Sequence, residues 1–242
     1  MLFTVATTPD EREAVNAFLD EHNPRGRGST RGYVAYYAAT SAADGQIVAA
    51  AKLCPLHTPQ SARFFAGEDW RHVYCLQRLA AQGVAANVLS RFLAWCLRQI
   101  GRDPRVWYVA TFADSATFDT RYNRPHNGGI YRATNAVYCG LTRSSRVEAY
   151  VLDGQRHSVR RGPKTLRLSE IPAEAALIRG TDKHRYCWAV GAPLQRRFRL
   201  RALQQRMAQY HFVPAYQPRL LIRILRRLRI FTLCEVVCEV LK

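Results

Sequence analysis

The 242-residue chain predicts a mixed α/β fold on one central sheet flanked by helices, with a basic C-terminal extension. Three observations predict it. Apolar runs of strand length alternate with amphipathic stretches of helical spacing, an order that lays helices on a sheet. Residues 106–112 are almost continuously apolar, the pattern of a strand buried on both faces. The charge is uneven: residues 1–155 hold 17 Lys/Arg against 13 Asp/Glu, and residues 156–242 hold 19 against 5. The chain therefore divides into a front part over 1–155, with the charge of an ordinary enzyme domain, and a basic extension over 156–242.

The elements follow in order. Residues 2–6 are a short apolar strand. Thr8-Pro9-Asp10-Glu11 offers acceptors to the first unpaired N–H groups of a helix, and Val15, Phe18 and Leu19 continue it to about residue 21. Pro24, Gly26 and Gly28 make residues 22–31 a loop. Residues 33–39 and 47–53 flank Asp44-Gly45, a strong hairpin signal, and residues 73–79 are a further strand. After Gln82-Gly83, the stripe Val84, Val88, Leu89, Phe92, Leu93, Cys96 and Leu97 gives a helix over 84–100, which Gly101 stops. Beyond the strand at 106–112 come a short helix over 116–122, a Tyr-rich strand over 130–140 opened by His126-Asn127-Gly128-Gly129, and a strand over 147–152. In the tail, residues 159–173 are basic and extended and 185–190 form another strand. Residues 195–210 and 219–241 are helical, separated by Pro214 and Pro218. There is no internal repeat.

The net charge of +18 implies a polyanionic partner. Arginine supplies 32 of the 36 basic residues, and guanidinium forks fit phosphate oxygens and guanine edges, which favours nucleic acid over an anionic membrane. No stretch approaches the roughly 18 uncharged apolar residues of a membrane span. The seven cysteines are scattered, no CxxC occurs, and the chain opens without a basic-then-apolar leader. A soluble protein with buried thiols in a reducing cytoplasm is expected. HxxxH, HxH and clustered carboxylates are also missing, so zinc is not expected.

Two stretches could carry chemistry. In RLAAQGVAA (78–86) a strand end meets a glycine and then a helix start. Main-chain donors of Gln82, Gly83, Val84 and Ala85 could hold a pyrophosphate there, although a lone glycine at such a junction is common. Residues 112–142 cluster polar and ionisable groups between two strands, where sites are usually built. An Asp N-cap and a glycine-rich turn is the ordinary reading of that cluster.

The hairpin, the strand at 73–79, the Gly83 turn, the helix and the strand from 106 resemble the GNAT acyltransferase fold. That family's turn before the long helix reads Q/R-x-x-G-x-G/A and grips the pyrophosphate of acyl-CoA. Here Ala80-Ala81-Gln82-Gly83-Val84-Ala85 matches except for Ala80 in the leading position. Asp114-Ser115 after the central strand, then His-x-Gly-Gly-x-Tyr-Arg-Ala-x-Asn from His126 and a Tyr-x-Gly strand at Tyr138, resemble the phage Mu Mom family of DNA-modification proteins. Those are divergent GNAT-like proteins that convert adenine N6 in DNA to a carbamoylmethyl (acetamido) form, which shields phage DNA from restriction. The resemblance covers residues 30–155 well.

It implies a transferase acting on double-stranded DNA in the cytoplasm of the bacterial host, with acyl-CoA or another group donor. Asp114 would accept an N6 hydrogen, or would cap a helix. Ser115 would donate to the substrate or the transferred group. Tyr131, Tyr138 and Tyr150 would stack an extruded adenine or donate a proton, or pack in a core. Asn135 would read the adenine N6/N7 edge, and His126 would serve as base or metal ligand. The family's link to iron leaves a dispersed His/Asp/Tyr iron site open. Arg102, Arg196, Arg197, Arg199, Arg201 and the basic helical run Arg219, Arg223, Arg226, Arg227 and Arg229 would hold phosphates, or form a solvated face. Oligomeric state is left open, a homodimer included. An acetyl-CoA-dependent N-acetyltransferase acting on a protein or small-molecule amine is the alternative.

Overall fold

The structure, a computed structural model, describes residues 1–210 apart from 24–25, 29–31, 33, 86, 115–117, 120–123, 126–127, 143–146, 162–163 and 181. The proposed helix over 219–241, with its arginines, and Cys234 and Cys238 lie outside the described residues, as do Ser115 and His126.

The first half runs β1 (Leu2–Ala6), α1 (Pro9–His22), β2 (Ala35–Thr40), β3 (Ile47–Pro55), α2 (Pro59–Ala66), β4 (Val73–Ala81), α3 (Val88–Ile100) and β5 (Tyr108–Asp114). Then come the short strands β6 (Phe118–Asp119) and β7 (Arg124–Pro125), α4 (Gly129–Ala133), β8 (Val137–Thr142), β9 (Val147–Leu152) and β10 (Gln155–Ser158). Strands β11 (Arg160–Arg161), β12 (Lys164–Thr165), β13 (Ala176–Arg179) and β14 (Lys183–Ala189) precede α5 (Pro193–Ala208).

Seven strands form the main sheet in the order β1-β2-β3-β4-β5-β14-β8. Its only parallel pair among the described residues is β4 with β5. A smaller sheet has the order β10-β9-β13. This is the mixed sheet flanked by helices that the sequence predicts. One compact unit extends from Met1 to His211. The boundary expected after residue 155 falls within the β9–β10 hairpin, where Gln155 pairs with Leu152, and β14 lies inside the main sheet.

Helices cover both faces. Phe92, Leu93, Cys96 and Leu97 of α3, with Tyr131 of α4, pack on Tyr37, Leu53, Leu76, Val109 and Trp188. Each fully buried side chain of that kind contributes about 1.5–3 kcal/mol. On the opposite face, Val15, Phe18 and Leu19 of α1 cover Tyr36, Ala38, Ala50 and Ala80. Next to them α2 packs on β4 and β5, and α5 packs on β14. The start of α1 is as expected: Thr8 Oγ1 accepts from Glu11 N at 3.2 Å, and Glu11 Oε2 accepts from Thr8 N at 2.9 Å.

Four local expectations change. Helix α3 begins at Val88, not at residue 84. Asn87, inside the expected span, is left-handed at φ 68° and so cannot continue a right-handed helix. Residues 130–133 are helical, and the strand starts only at Val137 after a left-handed turn at Asn135. The short helix over 116–122 does not form at Phe118–Asp119, which pairs in extended form with Arg124–Pro125. Helix α2, with Pro59 in its first turn, was not expected at all.

Candidate functional site: a wedge beside an aromatic wall

Strands β4 and β5 are ladder partners over only three residues, Val73–Cys75 against Tyr108–Ala110. Beyond them the strands part. The cause lies in β4. Leu53 pairs with Leu76 but Lys52 pairs with Arg78, so Gln77 is an extra residue, a β-bulge that bends its strand. The bulge also resets the alternation: Tyr74 and Leu76, then Leu79 and Ala81, face α3. Thr111 Oγ1 donates to Leu76 O at 3.3 Å across the point of divergence. A wedge thus opens between residues 76–81 of β4 and residues 111–114 of β5. Gln77 Oε1 is buried beside it, with no hydrogen-bond partner among the described residues.

The wedge's mouth is crossed by the turn that leads to α3. Gln82 N donates to Val48 O at 2.9 Å, anchoring the turn to β3. A Cβ on Gly83 would meet nothing within 4 Å, so its left-handed backbone, not space, asks for glycine. Val84 and Ala85 follow, and the first turn of α3 carries no acidic side chain and no side-chain cap. Ala80, at the position of the family's leading Gln/Arg, is buried in β4 opposite Ala50.

One side of the wedge is an aromatic wall on the α3/α4 face. Tyr131 packs between Tyr186 and Trp188, at ring separations of 5.4 and 5.6 Å. Trp188 Nε1 donates to Thr134 O at 3.0 Å. Burial pushes the Tyr131 phenol up, against a hydrogen bond with Thr111 that lowers it. Tyr186 is pushed up to about 12, again by burial, with Arg132 opposing. Nearer the rim, the Tyr138 hydroxyl and His184 Nδ1 are 3.2 Å apart in a hydrogen bond. His184 is held below the ordinary imidazole value by burial first and by the Arg132 cation second, so it is neutral at pH 7.

The sheet sorts the sequence-predicted residues. Tyr131 and Tyr138 come together in this wall. Asp114 ends β5 opposite Lys183, and alternation sets it with Phe112 on the α2/α5 face. Tyr150 lies in the smaller sheet, buried and stacked on His157 at 5.1 Å. Asn135, Arg102 and Arg196 lie at the opposite end of the main sheet from Asp114, near the start of β5. Arg197 is exposed on α5. Ser115, His126 and Arg223 lie outside the described residues. Sequence reading missed Gln77, Thr111, Arg132 and His184. His184, Tyr186 and Trp188 alternate in KHRYCWAV, a period of two that sets all three on one face.

No group of three His, Cys, Asp or Glu side chains converges among the described residues. Burial pushes the Cys139 and Cys75 thiols up to about 12 and also raises those of Cys96 and Cys187, so these four are held as neutral thiols. No described helix is long and apolar enough to cross a membrane.

No curated protein matches the chain. Among solved structures it is similar to a ribosomal-protein-alanine N-acetyltransferase from Brucella melitensis, at 13% identity and a TM-score of 0.46, over 78% of this chain and 100% of that one. An aminoglycoside 6'-N-acetyltransferase from Enterococcus faecium is similar at 9% identity and a TM-score of 0.45, over 78% of this chain and 97% of that one. A GNAT-like decarboxylase, GphF, in complex with isobutyryl-CoA, is similar at 14% identity and a TM-score of 0.44, over 78% and 99%. The sequence pattern of the Mom protein family matches residues 41–211, which span the wedge, the aromatic wall and α5. The chain belongs to the Mom protein family.

Proposed function

We propose that the chain is a phage DNA-modification transferase that converts adenine N6 in double-stranded DNA to the carbamoylmethyl form and so protects phage DNA from host restriction. The match to the Mom family over residues 41–211 carries this reading. The wedge between β4 and β5, closed by the Gly83 turn and the start of α3, supports a donor site. Acyl-CoA or another group donor would lie there, with its anionic part on main-chain N–H groups of residues 82–85.

The chemistry asks for orientation and a proton acceptor. The adenine N6 lone pair is delocalised into the ring, so the base must leave the duplex and an N6 proton must go as the new bond forms. In the transfer, N6 bonds to the methylene carbon of a donor of the form X–CH2–C(O)NH2, the carbon–X bond breaks with X taking the electron pair, and the N6 proton passes to the protein. An acyl-CoA, whose thiolate leaves from the carbonyl carbon, would give an N6-acyl product instead. Asp114, at the rim of β5, is the first acceptor. The neutral Tyr138–His184 pair, at 3.2 Å, is the second group able to move a proton beside the wedge. Ser115 and His126 complete the proposed set with roles at the transferred group. Asn135 lines a cleft with Arg98 and Arg196 and is given no role in this set.

Expression of the chain with a plasmid, followed by mass spectrometry of digested nucleosides, tests this. A carbamoylmethyl-deoxyadenosine peak that vanishes on Asp114→Ala is expected. Unmodified deoxyadenosine together with acetyl-CoA turnover on an amine would instead establish the N-acetyltransferase alternative, which the wedge alone supports.

A further inference from the structure

The end of the main sheet remote from Asp114 has a basic trough that the transfer chemistry does not use. Two clefts of about 550 and 660 Å³ open there side by side and share Arg98 and Gly191. The last turn of α3 supplies Arg98, the following turn supplies Arg102, and the first turns of α5 supply Arg196 and Arg199. Asn135 lines the larger cleft and Trp107 the smaller.

The cations differ in how they are engaged. Arg199 is structural: its Nη1 donates to Val190 O at 2.7 Å, and its guanidinium lies 4.7 Å from the Trp107 ring, which also stacks on His72 at 4.0 Å. Asp69 is the acidic group that faces it. Arg98, Arg102 and Arg196 are exposed and have no ion-pair partner among the described residues. Asp103, the acidic residue lining the smaller cleft, is already bound to Arg105 at 2.6 Å. The row continues beyond the clefts along α5, where Arg197 and Arg201 are exposed one turn apart. This 16-residue helix contains five arginines and no Asp or Glu.

We infer that this trough is a docking surface for the phosphate backbone of duplex DNA, separate from the wedge. A lone phosphate would need one or two guanidinium groups. Here exposed cations come from two elements, Arg98 and Arg102 from the end of α3 and Arg196, Arg197 and Arg201 from α5, the last three spread over on the order of 8 Å of helix axis at 1.5 Å per residue. That is more than a single phosphate engages and suits a run of phosphates. Guanidinium forks suit phosphate oxygens, and positioning contacts of this kind carry no sequence information. The seven residues of β5 set the trough on the order of 23 Å from Asp114. The duplex is therefore held well to the side of the base being modified. The identity of the polyanion rests on the DNA-modifying reading; the surface itself does not.

The test measures binding of the full chain to a fluorescent 20-base-pair duplex by anisotropy over a salt series, beside nucleoside analysis. The double variant Arg98→Ala/Arg196→Ala is compared with Ala14→Glu/Ala17→Glu, which makes the same change in net charge on the exposed side of α1. The trough variant should bind at least about tenfold more weakly, and its slope of log K against log salt should shrink by about two. The α1 variant should keep the wild-type slope. Equal losses in both variants, or none in the trough variant, would overturn the inference. So would binding of single strands in preference to duplex. Trough-dependent binding without any modified adenine would leave the surface standing and remove the proposed reaction. Modified adenine with unchanged binding of the trough variant would do the reverse.

Discussion

A Cβ on Gly128 would lie 2.3 Å from the Tyr186 ring and 2.9 Å from the Tyr131 ring, and the backbone there is left-handed at φ 70°. Gly128→Ala should therefore cost about 2–4 kcal/mol, read as a fall in thermal midpoint on the order of 5–15 °C. Gly83→Ala meets no neighbour and carries only the strain of its φ, about 1–2 kcal/mol. A larger loss at 83 than at 128 would contradict this ordering. Tyr138→Phe removes one hydroxyl from a part-exposed hydrogen bond, so stability should fall by only about 0.5–1.5 kcal/mol. Adenine modification should fall much further, as nucleoside yield would report. His184 has its own signature. Its folded form resists protonation more than the unfolded form does, so the unfolded state binds more protons just below the ordinary value of about 6.5. Wild-type stability should fall as pH drops through that region, and His184→Gln should remove that part of the pH dependence in thermal melts.

Helix α1 was legible because its signal is local: Thr8, Glu11 and three apolar residues at helical spacing need nothing from elsewhere in the chain. The central strand was legible for the same reason, since Val109, Ala110 and Thr111 are buried whichever face they meet. The bulge at Gln77 was not. It exists only as a mismatch between two strands, and β4 alone reads as an ordinary alternating run. Deleting Gln77 would let Arg78 follow Leu76 in a regular ladder, with Arg78 still opposite Lys52 and Leu79 still on the α3 face, and would remove the bend that helps part β4 from β5. The deletion and Gln77→Ala should therefore both keep a cooperative melt, whereas only the deletion should lower the nucleoside yield; loss of the melt on deletion would contradict this register. In the candidate site, Tyr131 and Tyr138 were found as residues, but their joining with His184 depends on pairing between strands some 46 residues apart.

At the scale of the molecule, composition pointed to a polyanionic partner, and the described residues show where arginines without an ion-pair partner gather at one end of the sheet. Composition could not show that β14, from the basic part of the chain, completes the main sheet. A chain of residues 1–155 lacks β14 and should aggregate or remain unfolded, whereas 1–211 should melt cooperatively; a folded 1–155 would contradict the sheet order. The order also has a consequence for synthesis. Strands β5 and β8 are made first, yet each waits for the same later segment to sit between them. Until Ala189 has left the ribosome, both present bare N–H and C=O groups to their surroundings. The nascent chain thus passes through an interval in which its two most adhesive edges are complete and their shared partner has yet to be translated.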